Sequence, residues 1–358
     1  MREDGFWSEE FIAALKMVAP GTPLREGLEN ILRAKTGALI VVGDSPEVME
    51  IAEGGFEIHT NLTPANLYEL AKMDGAIILS SDAKKILLAN TQLVPDPAIP
   101  SQETGIRHRS AERVARQTGA LVISISQRRG IITLYKGSIK YVLRDIGVVL
   151  DKANQALQTL EKYKAVLDKA LLTLSTLEFQ DLVTLFDVAK ALQRTEMVLR
   201  IVQEIERYVI ELGNEGRLIS MQMDELVSNV YEEGLLIIKD YSLHKDKTPQ
   251  EIMATMAQWP AEDLLDLSLI SRALGYTANP GFLDQAVTPR GYRILHKIPR
   301  LPLPVIENLV ATFGNLQQIL RASIEKLDEV EGIGEVRARA IKEGLQRYRD
   351  QIAMERHF

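Results

Sequence analysis

The sequence predicts a multidomain protein: an N-terminal α/β domain on a mixed sheet, a central all-α bundle, and a C-terminal segment of short helices. Three observations predict this arrangement. The chain has 358 residues, which exceeds one ordinary domain. Up to about residue 149, short β-type apolar runs alternate with helical stretches, as in α/β domains. Beyond that point, apolar residues recur with helical spacing and no strand pattern is found.

Composition is that of a soluble globular protein, and it excludes several kinds of chemistry. Apolar residues make up 46% and charged residues 25% of the chain. The absence of cysteine rules out disulfides, thiolate metal sites and a cysteine nucleophile. The first residues have no apolar core of a secretory signal. Apolar runs such as Ala38 to Val42 fall far short of the roughly 20 residues of a membrane span. We expect a cytoplasmic protein with no membrane contact.

Charge is distributed unevenly along the chain. The net charge is −7, yet residues 290–358 hold 12 Lys and Arg against 9 Asp and Glu, a net +3, which leaves −10 for residues 1–289. Because nucleic acids attract basic surfaces, any such contact is expected at the C-terminal end.

In the first segment, apolar runs and alternating runs bounded by glycine predict strands. Two helices are also expected there: Ala65 to Met73, after the capping pair Thr63-Pro64, and Arg109 to Thr118, which ends at Gly119. The predicted strands are 38–42, 56–60, 76–79, 85–89, 121–125 and 131–135.

In the second segment, three apolar stripes at helical spacing predict long amphipathic helices over 156–177, 198–209 and 218–241. They are expected to pack against each other or against another subunit. The predicted domains are therefore 1–149, 150–289 as an oligomerisation spine, and 290–358, which opens with a proline-rich stretch.

Two patches in the first segment are unusual for a structural sheet. Asp74-Gly75 separates a predicted helix from a buried strand; a simple turn is one interpretation, since Asp-Gly is a common turn dipeptide. The second patch, Glu103 to Arg113, leads through Gly105 into a helix whose first turn has Arg107 and Arg109 on either side of His108.

Cations at a helix N-terminus oppose the helix dipole, so this second patch favours a bound anion. The free N–H groups and the guanidinium groups would then hold phosphate oxygens. A solvated basic turn, with His108 as an isolated hydrogen-bonding group, is the alternative. Neither patch matches a P-loop or a dinucleotide fingerprint, and no Ser-His-Asp pattern is found. An acidic residue with an arginine clamp and no nucleophile is consistent with metal-assisted transfer on a nucleotide.

Asp74-Gly75-Ala76 and Arg107-His108-Arg109 resemble the DGA and RHR motifs of the diadenylate cyclase domain. Together with Val18 to Arg25 and the later segments, the resemblance extends over the whole chain to the DNA-integrity scanning (DisA) family. It implies condensation of two ATP molecules into cyclic di-AMP, release of pyrophosphate, and Mg²⁺ or Mn²⁺ as cofactor. It further implies cyclase domains that face each other between subunits, in a homo-octamer of two tetramers.

The resemblance also implies roles for individual residues. Asp74 would bind the metal and activate the ribose 3′-OH, with Arg107, His108 and Arg109 completing the catalytic set. Ile106 departs from the family, which commonly has Thr there, whereas Ser110 keeps a hydroxyl. The positions assigned to ATP are Gly75, Ala76, Leu93, Thr104, Gly105, Ile106, Arg107, His108, Ser110, Ser126 and Arg128.

The C-terminal segment matches a helix–hairpin–helix pattern. A Gly-hydrophobic-Gly turn, such as Gly332-Ile333-Gly334, exposes backbone N–H groups to a DNA phosphate, because a side chain would block the approach. Arg337, Arg339 and Lys342 would supply positive charge. Backbone contacts read no sequence, so branched or damaged DNA is the expected ligand. An ordinary helical hairpin is the alternative, since acidic residues lie close by.

The sequence therefore predicts a nucleoid-associated diadenylate cyclase coupled to DNA binding, with a recombination or repair protein as a further partner. A hypothesis from another class is a DNA-repair accessory protein that senses ATP without turnover. Formation of cyclic dinucleotide and pyrophosphate from ATP and Mg²⁺ discriminates between them.

Overall fold

The computed structural model describes residues 7–277 and 281–355. The six initial residues, for which the sequence predicts no secretory signal, lie outside these ranges. The chain divides into two compact units: Met1–Asn154 with Glu206–Ser220, and Gln155–Ile205 with Met221–Phe358. The three predicted domains thus correspond to two packing units, because residues 290–358 pack with most of the predicted spine.

The first unit contains a mixed sheet, as predicted, and helices lie on both of its faces. Its strands are β1 (Ala38–Val42), β2 (Ala52–Glu53), β3 (Phe56–Asn61), β4 (Ala76–Leu79), β5 (Lys85–Leu93), β6 (Leu121–Ser126), β7 (Ile131–Lys136) and β8 (Ile139–Val142). Its helices are α1 (Glu9–Met17), α2 (Pro23–Arg33), α3 (Pro46–Glu50), α4 (Pro64–Leu70) and α5 (Ile106–Thr118).

All six predicted strands are present, and the structure adds β2 and β8. Neighbours in the sheet follow the order β2-β5-β4-β1-β6-β7-β8, and β3 pairs with β5. β1 and β4 are parallel, and the remaining pairs are antiparallel. β5 is longer than predicted, since it continues to Leu93 instead of ending at Ala89.

Two apolar layers, one on each face of the sheet, hold the first unit together. On one face α1, α2 and α4 pack against alternate residues of the central strands, such as Ile40 and Ile123. On the other face α3 and α5 pack against Val41 and Val122. Because successive strand residues point to opposite faces, a continuous apolar run satisfies both layers. Each fully buried aliphatic side chain contributes about 1.5–3 kcal/mol.

The second unit is helical, apart from an isolated bridge between Thr184 and Ala286. Its helices, some of which begin or end in the first unit, are α6 (Ile146–Gln180), α7 (Leu185–Leu212), α8 (Arg217–Val227), α9 (Val230–Tyr241), α10 (Pro249–Ala257), α11 (Leu267–Ala273), α12 (Tyr292–His296), α13 (Leu303–Phe313), α14 (Leu316–Arg321), α15 (Ile324–Asp328) and α16 (Glu335–Glu355).

The third predicted amphipathic helix is wrong as a single element. Residues 228–229 form a turn between α8 and α9, so the apolar stripe over 218–241 is divided between two helices. The apolar spacing does not detect this break, because a turn of two residues hardly interrupts it. The first two stripes lie within α6 and α7, which are longer than predicted.

The end of α7 belongs to the first unit, although the sequence places it in the spine. Glu211 is nearly buried there and accepts hydrogen bonds from Tyr141 Oη at 2.6 Å and from Arg144. Gly213 has φ +52°, and a Cβ at that position would lie 2.6 Å from the carbonyl oxygen of Pro20. The last turn of α7 is therefore part of the packing of the first unit.

The C-terminal part contains two helix–turn–helix pairs, 32 positions apart along the sequence. The turn between α12 and α13 has Arg300 at φ +62°, and the turn between α15 and α16 has Gly332 at φ +83°. In each turn the following residue, Leu301 or Ile333, donates its N–H to the carbonyl three residues earlier. The two turns thus share a residue with positive φ and a hydrogen bond over three residues, and only one of them has glycine at the positive-φ position.

A buried ion cluster lies in the second unit. The Arg293 guanidinium is 1% exposed and donates to Glu178, to Glu233 Oε1 at 2.9 Å and to Ser175. Tyr241 Oη donates to Glu178 at 2.7 Å. Arg293 therefore neutralises two buried carboxylates and cannot serve as surface charge, which lowers the basic excess that the sequence assigned to residues 290–358.

The same helix, α12, is anchored by a third buried carboxylate. Asp240, 1% exposed, accepts hydrogen bonds from the backbone N–H groups of Gly291, Tyr292 and Arg293 at 2.7–3.0 Å. Burial, with the nearby charge of Glu178, raises the pKa of Asp240 to about 7. The three N–H groups oppose this shift because they stabilise the charged form.

Candidate active site

The sheet register brings the two motif regions to one edge. β1 and β4 are parallel, with Leu39 opposite Ala76, so both begin at the same edge. Their antiparallel neighbours end there, since Thr91 of β5 pairs with Ala76 and Ile125 of β6 pairs with Ala38. This edge therefore collects residues from four strands that are distant in sequence.

Gly75, immediately before β4, occupies a position that only glycine fits. Its φ is +86°, and an added Cβ would lie 2.9–3.1 Å from backbone atoms of Asn90 and Thr91. The first condition strains any L side chain, and the second is a collision with the β5 backbone. The side chain of Asp74, one residue earlier, is 98% exposed. The dipeptide lies in a bend, close to the turn of the simpler interpretation, and this bend presents an exposed carboxylate.

Arg107 joins the two motifs in space. Its Nη2 lies 3.8 Å from Asp74 Oδ1. Its guanidinium passes over Gly37, where a Cβ would stand 2.1 Å from Nη1. Gly37 directly precedes β1. That it leaves space for an arginine could not be inferred from the sequence, because this depends on a residue 70 positions later.

Helix α5 begins at Ile106, three residues before the predicted start, so the whole Arg107-His108-Arg109 motif lies in its first turn. Gly105 is the N-cap and supplies no side-chain bond to the first N–H groups. These groups have no partner within the helix and attract anions. Ile106 is 84% exposed, and Arg109 Nε donates to the Glu103 carbonyl at 3.3 Å.

His108 is part of a buried polar chain. Its Nδ1 lies 3.1 Å from Tyr135 Oη, which donates to Glu103 Oε1 at 2.9 Å. Lys140 forms an ion pair with the same carboxylate. Burial lowers the pKa of His108 and raises that of Tyr135. Burial also acts to raise the pKa of Glu103, but the bonds from Lys140 and Tyr135 outweigh it and the net shift is downward.

Hydrogen bonds from α5 hold the loop that precedes it, and these contacts were not predicted from the sequence. Arg113 Nε donates to the Ile99 carbonyl and Arg116 Nη1 to the Pro100 carbonyl, both at 2.9 Å. Glu112 accepts from Ser101 Oγ at 2.5 Å and pairs with Arg116 at 2.6 Å. The i, i+4 spacing of Glu112 and Arg116 was the available signal, since such pairs lie side by side on a helix.

The remaining predicted nucleotide positions lie at the same edge, in the loop before α5 or on α5 itself. Leu93 ends β5 opposite Ala52, and Thr104 is exposed beside Gly105. Ser126 ends β6, where its Oγ accepts from the Arg129 N–H at 3.2 Å. Arg128 is exposed in the turn that follows, and Ser110 is half-buried on α5.

Asp74 fits a magnesium ion that is shared with substrate. In the part of the chain that the structure describes, no group of three or more His, Asp or Glu residues could hold a metal alone. Mg²⁺ commonly takes one or two carboxylates together with substrate phosphates and water. One exposed carboxylate beside an arginine clamp is consistent with that donor set.

At the C-terminal hairpin, the predicted cations have partners within the chain. Arg337 donates to the Gly332 carbonyl, Arg339 pairs with Glu335 at 2.5 Å, and Lys342 donates to the Leu320 carbonyl at 2.7 Å. Burial lowers the pKa of Lys342. A Cβ at Gly334 would meet no atom within 4 Å, so the backbone there is open on that side. Ile333 is buried in the hairpin core.

Two family models match this chain. Residues 25–139 match the family model DAC, described as DisA bacterial checkpoint controller nucleotide-binding, and residues 143–283 match the DisA bacterial checkpoint controller linker region. The α/β unit is therefore a nucleotide-binding domain of this type, followed by its linker.

Full-length relatives identify the family. The DNA integrity scanning protein DisA of Carboxydothermus hydrogenoformans is 70% identical over 96% of this chain and 98% of its own. Those of Symbiobacterium thermophilum and Clostridium kluyveri are 62% and 60% identical, each over 98% of both chains. The chain belongs to the DNA integrity scanning protein DisA family. Within residues 7–277 and 281–355, no helix is long and apolar enough to cross a bilayer.

Proposed function

We propose that the chain is a diadenylate cyclase that joins two ATP molecules into cyclic di-AMP and releases two pyrophosphates. The observation that carries this proposal is the meeting of Asp74 and Arg107 at one sheet edge, with the open N-terminus of α5 beside them. An exposed carboxylate, a guanidinium and free N–H groups are together suited to a triphosphate and to a reacting hydroxyl.

Each step of the reaction needs positioning and neutralisation of charge. The 3′-oxygen of one ATP attacks the α-phosphorus of the other, the bond to the β-phosphate oxygen breaks, and pyrophosphate leaves. Repetition in the opposite sense closes the ring. Arg107 and Arg109, with the N–H groups of the first α5 turn, hold phosphate oxygens and oppose the charge that develops. His108 lies in the same turn. Gly75 and Ala76 let the nucleotide approach the backbone, and Leu93, Thr104, Ser110, Ser126 and Arg128 complete its contacts.

Mg²⁺ or Mn²⁺ would be held by Asp74 together with the phosphates, and it would lower the pKa of the 3′-OH and neutralise charge. The 3.8 Å separation of Arg107 and Asp74 is longer than a hydrogen bond, so the carboxylate is not committed to the arginine. Asp74 is then available to orient the attacking hydroxyl.

Activity is proposed to depend on assembly. One chain offers one Asp74 and one Arg107-His108-Arg109 set, whereas the reaction needs two opposed nucleotides. Two nucleotide-binding domains must therefore face each other, and a homo-octamer of two tetramers supplies such pairs.

The hairpin around Gly332-Ile333-Gly334 is proposed to bind backbone phosphates of branched or damaged DNA. Arg337 and Arg339 would supply its positive charge, with Lys342 in support. The protein would then act in the cytoplasm at the nucleoid, together with a recombination or repair protein.

The test is product formation. Full-length protein with ATP and Mg²⁺ should yield cyclic di-AMP and pyrophosphate in a ratio of one to two, and Arg107→Ala with Arg109→Ala should eliminate product. The double substitution should also weaken ATP binding, because each charge-assisted bond contributes about 1.5–3 kcal/mol. Arg347→Ala with Arg349→Ala removes the same charge from α16 and serves as the control. ATP binding without any product would instead favour the ATP-sensing accessory protein.

A further inference from the structure

The polar chain behind His108 defines which ring nitrogen carries the proton. Lys140 can only donate, and the Glu103 carboxylate, whose pKa is lowered, can only accept. Tyr135 has one hydroxyl proton, and it is 2.9 Å from Glu103 Oε1. With that proton donated to the carboxylate, the Tyr135 oxygen must accept from the group on its other side, His108 Nδ1 at 3.1 Å.

The opposite direction of the hydrogen bond between His108 and Tyr135 is excluded by the chemistry of Glu103. If Nδ1 were the acceptor, Tyr135 would donate to His108, and its oxygen would face the Glu103 carboxylate with no proton between them. Two acceptors 2.9 Å apart repel each other in a buried setting, where electrostatic interactions are strong. Tyr135 is 1% exposed, so solvent does not relieve the repulsion.

In the neutral ring, Nε2 therefore carries no proton and can only accept a hydrogen bond. Burial holds His108 neutral, and the surrounding charges are Glu103 on the loop, Arg107 on α5, Arg129 in the β6–β7 turn and Lys140 on β8. Within the described part of the chain, His108 Nε2 is buried and has no hydrogen-bond partner. A buried acceptor without a donor costs free energy unless a ligand or water supplies one.

We propose that Tyr135, held by Glu103 and Lys140, is a positioning residue that fixes His108 with its proton on Nδ1, so that Nε2 accepts a hydrogen bond from a ribose hydroxyl of the bound nucleotide. Phosphate oxygens do not donate hydrogen bonds, so a lone pair at Nε2 is suited to a ribose hydroxyl and not to phosphate. This inference rests on the proposed function for the identity of the ligand. According to this inference, Arg107 binds phosphate and His108 binds ribose, although both residues lie in the first turn of α5.

Binding of ATP, 2′-deoxy-ATP and 3′-deoxy-ATP to the full-length protein, measured by calorimetry in EDTA so that ATP is not consumed, tests the proposal. The wild-type protein should bind ATP about three- to tenfold more tightly than at least one deoxy analogue, the range of one neutral hydrogen bond. His108→Asn, which removes Nε2, should abolish this preference.

Glu103→Gln is the conservative variant. Lys140 and Tyr135 both contact Glu103 Oε1, so the amide oxygen of Gln, placed there, would still accept from both and the His108 proton would stay on Nδ1. The ribose preference should persist in this variant, and ¹⁵N spectra of labelled histidine should show Nδ1 protonated in it and in the wild-type protein. Tyr135→Phe should reduce the preference. Tyr141→Phe is the matched control, since it also removes a bond from a half-buried tyrosine to a carboxylate, Glu211, and should leave the preference intact.

An unchanged preference in His108→Asn, or a wild-type ring protonated on Nε2, would overturn the inference. If Tyr135→Phe fails to fold, His108→Asn and the ¹⁵N spectra of the wild-type protein still decide it. A protein that shows the ribose preference but makes no cyclic product would contradict the proposed reaction while supporting the inference. A protein that makes product with no ribose preference would do the reverse.

Discussion

The guanidinium of Arg107 occupies the space above Gly37, where a Cβ would lie 2.1 Å from Nη1 and 3.2 Å from the Ile125 carbonyl oxygen. Gly37 precedes β1 and Arg107 lies on α5. The absence of a side chain at Gly37 therefore controls the position of an arginine that is proposed to bind phosphate. Sub-ångström placement of such groups matters because charge-assisted bonds depend strongly on geometry.

Gly37→Ala should displace Arg107 and lower ATP affinity by about tenfold, equivalent to about 1.4 kcal/mol, while the sheet persists. Calorimetry with the single and double variants of Gly37→Ala and Arg107→Ala measures this. In the Arg107→Ala background the methyl group has nothing to displace, so it should cost much less. Equal losses in both backgrounds would show that Gly37 does not act through Arg107.

Asp74→Asn should abolish cyclic di-AMP formation and leave ATP binding largely intact. The substitution removes the charge without changing volume, and the side chain is 98% exposed, so stability should not change. Asp82→Asn, at an exposed carboxylate in the β4–β5 turn, is the control and should retain activity. Near wild-type turnover in Asp74→Asn would remove Asp74 from the mechanism.

Arg293→Ala should destabilise the second unit by about 3–5 kcal/mol, because it leaves the buried Glu178 and Glu233 carboxylates without a counter-charge. Trp7 and Trp259 lie one in each unit, so urea unfolding of a Trp7→Phe background, followed by fluorescence, reports the second unit alone. Lys164→Ala removes an exposed ion pair with Asp168 and should cost less than about 1 kcal/mol. Similar losses for the two variants would contradict the role given to Arg293.

Stability of the second unit should depend on pH through Asp240. Because its pKa is raised to about 7 from 3.8, the folded state keeps a proton that the unfolded state loses between these values. This contribution is fully present below about pH 4 and declines as pH rises toward 7. Urea midpoints of wild type and Asp240→Asn from pH 5 to 8, followed by Trp259 fluorescence, should differ in slope below pH 7. The exposed Asp246→Asn should match the wild-type slope, and parallel curves for Asp240→Asn would refute the prediction.

DNA binding should require the charge near the C-terminal hairpin. Arg337→Ala with Arg339→Ala should weaken binding of a four-way junction and reduce the salt dependence by about one per lost phosphate contact. Arg347→Ala with Arg349→Ala removes two arginines at the same spacing on α16, ten residues further on, and should have a smaller effect. Identical losses would place the contact elsewhere on the helix.

Junction DNA should also alter the rate of cyclic di-AMP formation more than linear duplex does, and we expect it to lower the rate. Point variants test this better than removal of residues 290–358, because that deletion would strip Arg293 from Glu178 and Glu233 and damage the second unit. The Arg337 and Arg339 double variant should keep basal activity and lose the response to DNA. A retained response would contradict coupling through the hairpin.

Local sequence determined the mixed α/β unit, because buried strands, capping pairs and helical stripes are short-range patterns. The Thr63-Pro64 pair begins α4 as expected, with Thr63 Oγ1 accepting from the Asn66 N–H. The motifs at Asp74 and Arg107 were recognisable for the same reason. The turn of two residues in the stripe over 218–241 could not be recognised from the sequence, because the apolar periodicity continues across it.

Tertiary structure alone decided what the charged and polar residues do. Arg293 counts as a surface cation in the sequence but is buried between two carboxylates. The proton on His108 is directed by Tyr135, 27 residues later, and by Glu103 through it. The space above Gly37 is reserved for a side chain 70 residues away. Hydrophobic burial follows from patterns in neighbouring residues, whereas hydrogen bonds and ion pairs depend on the donor, the acceptor and the solvent exclusion that distant segments bring together.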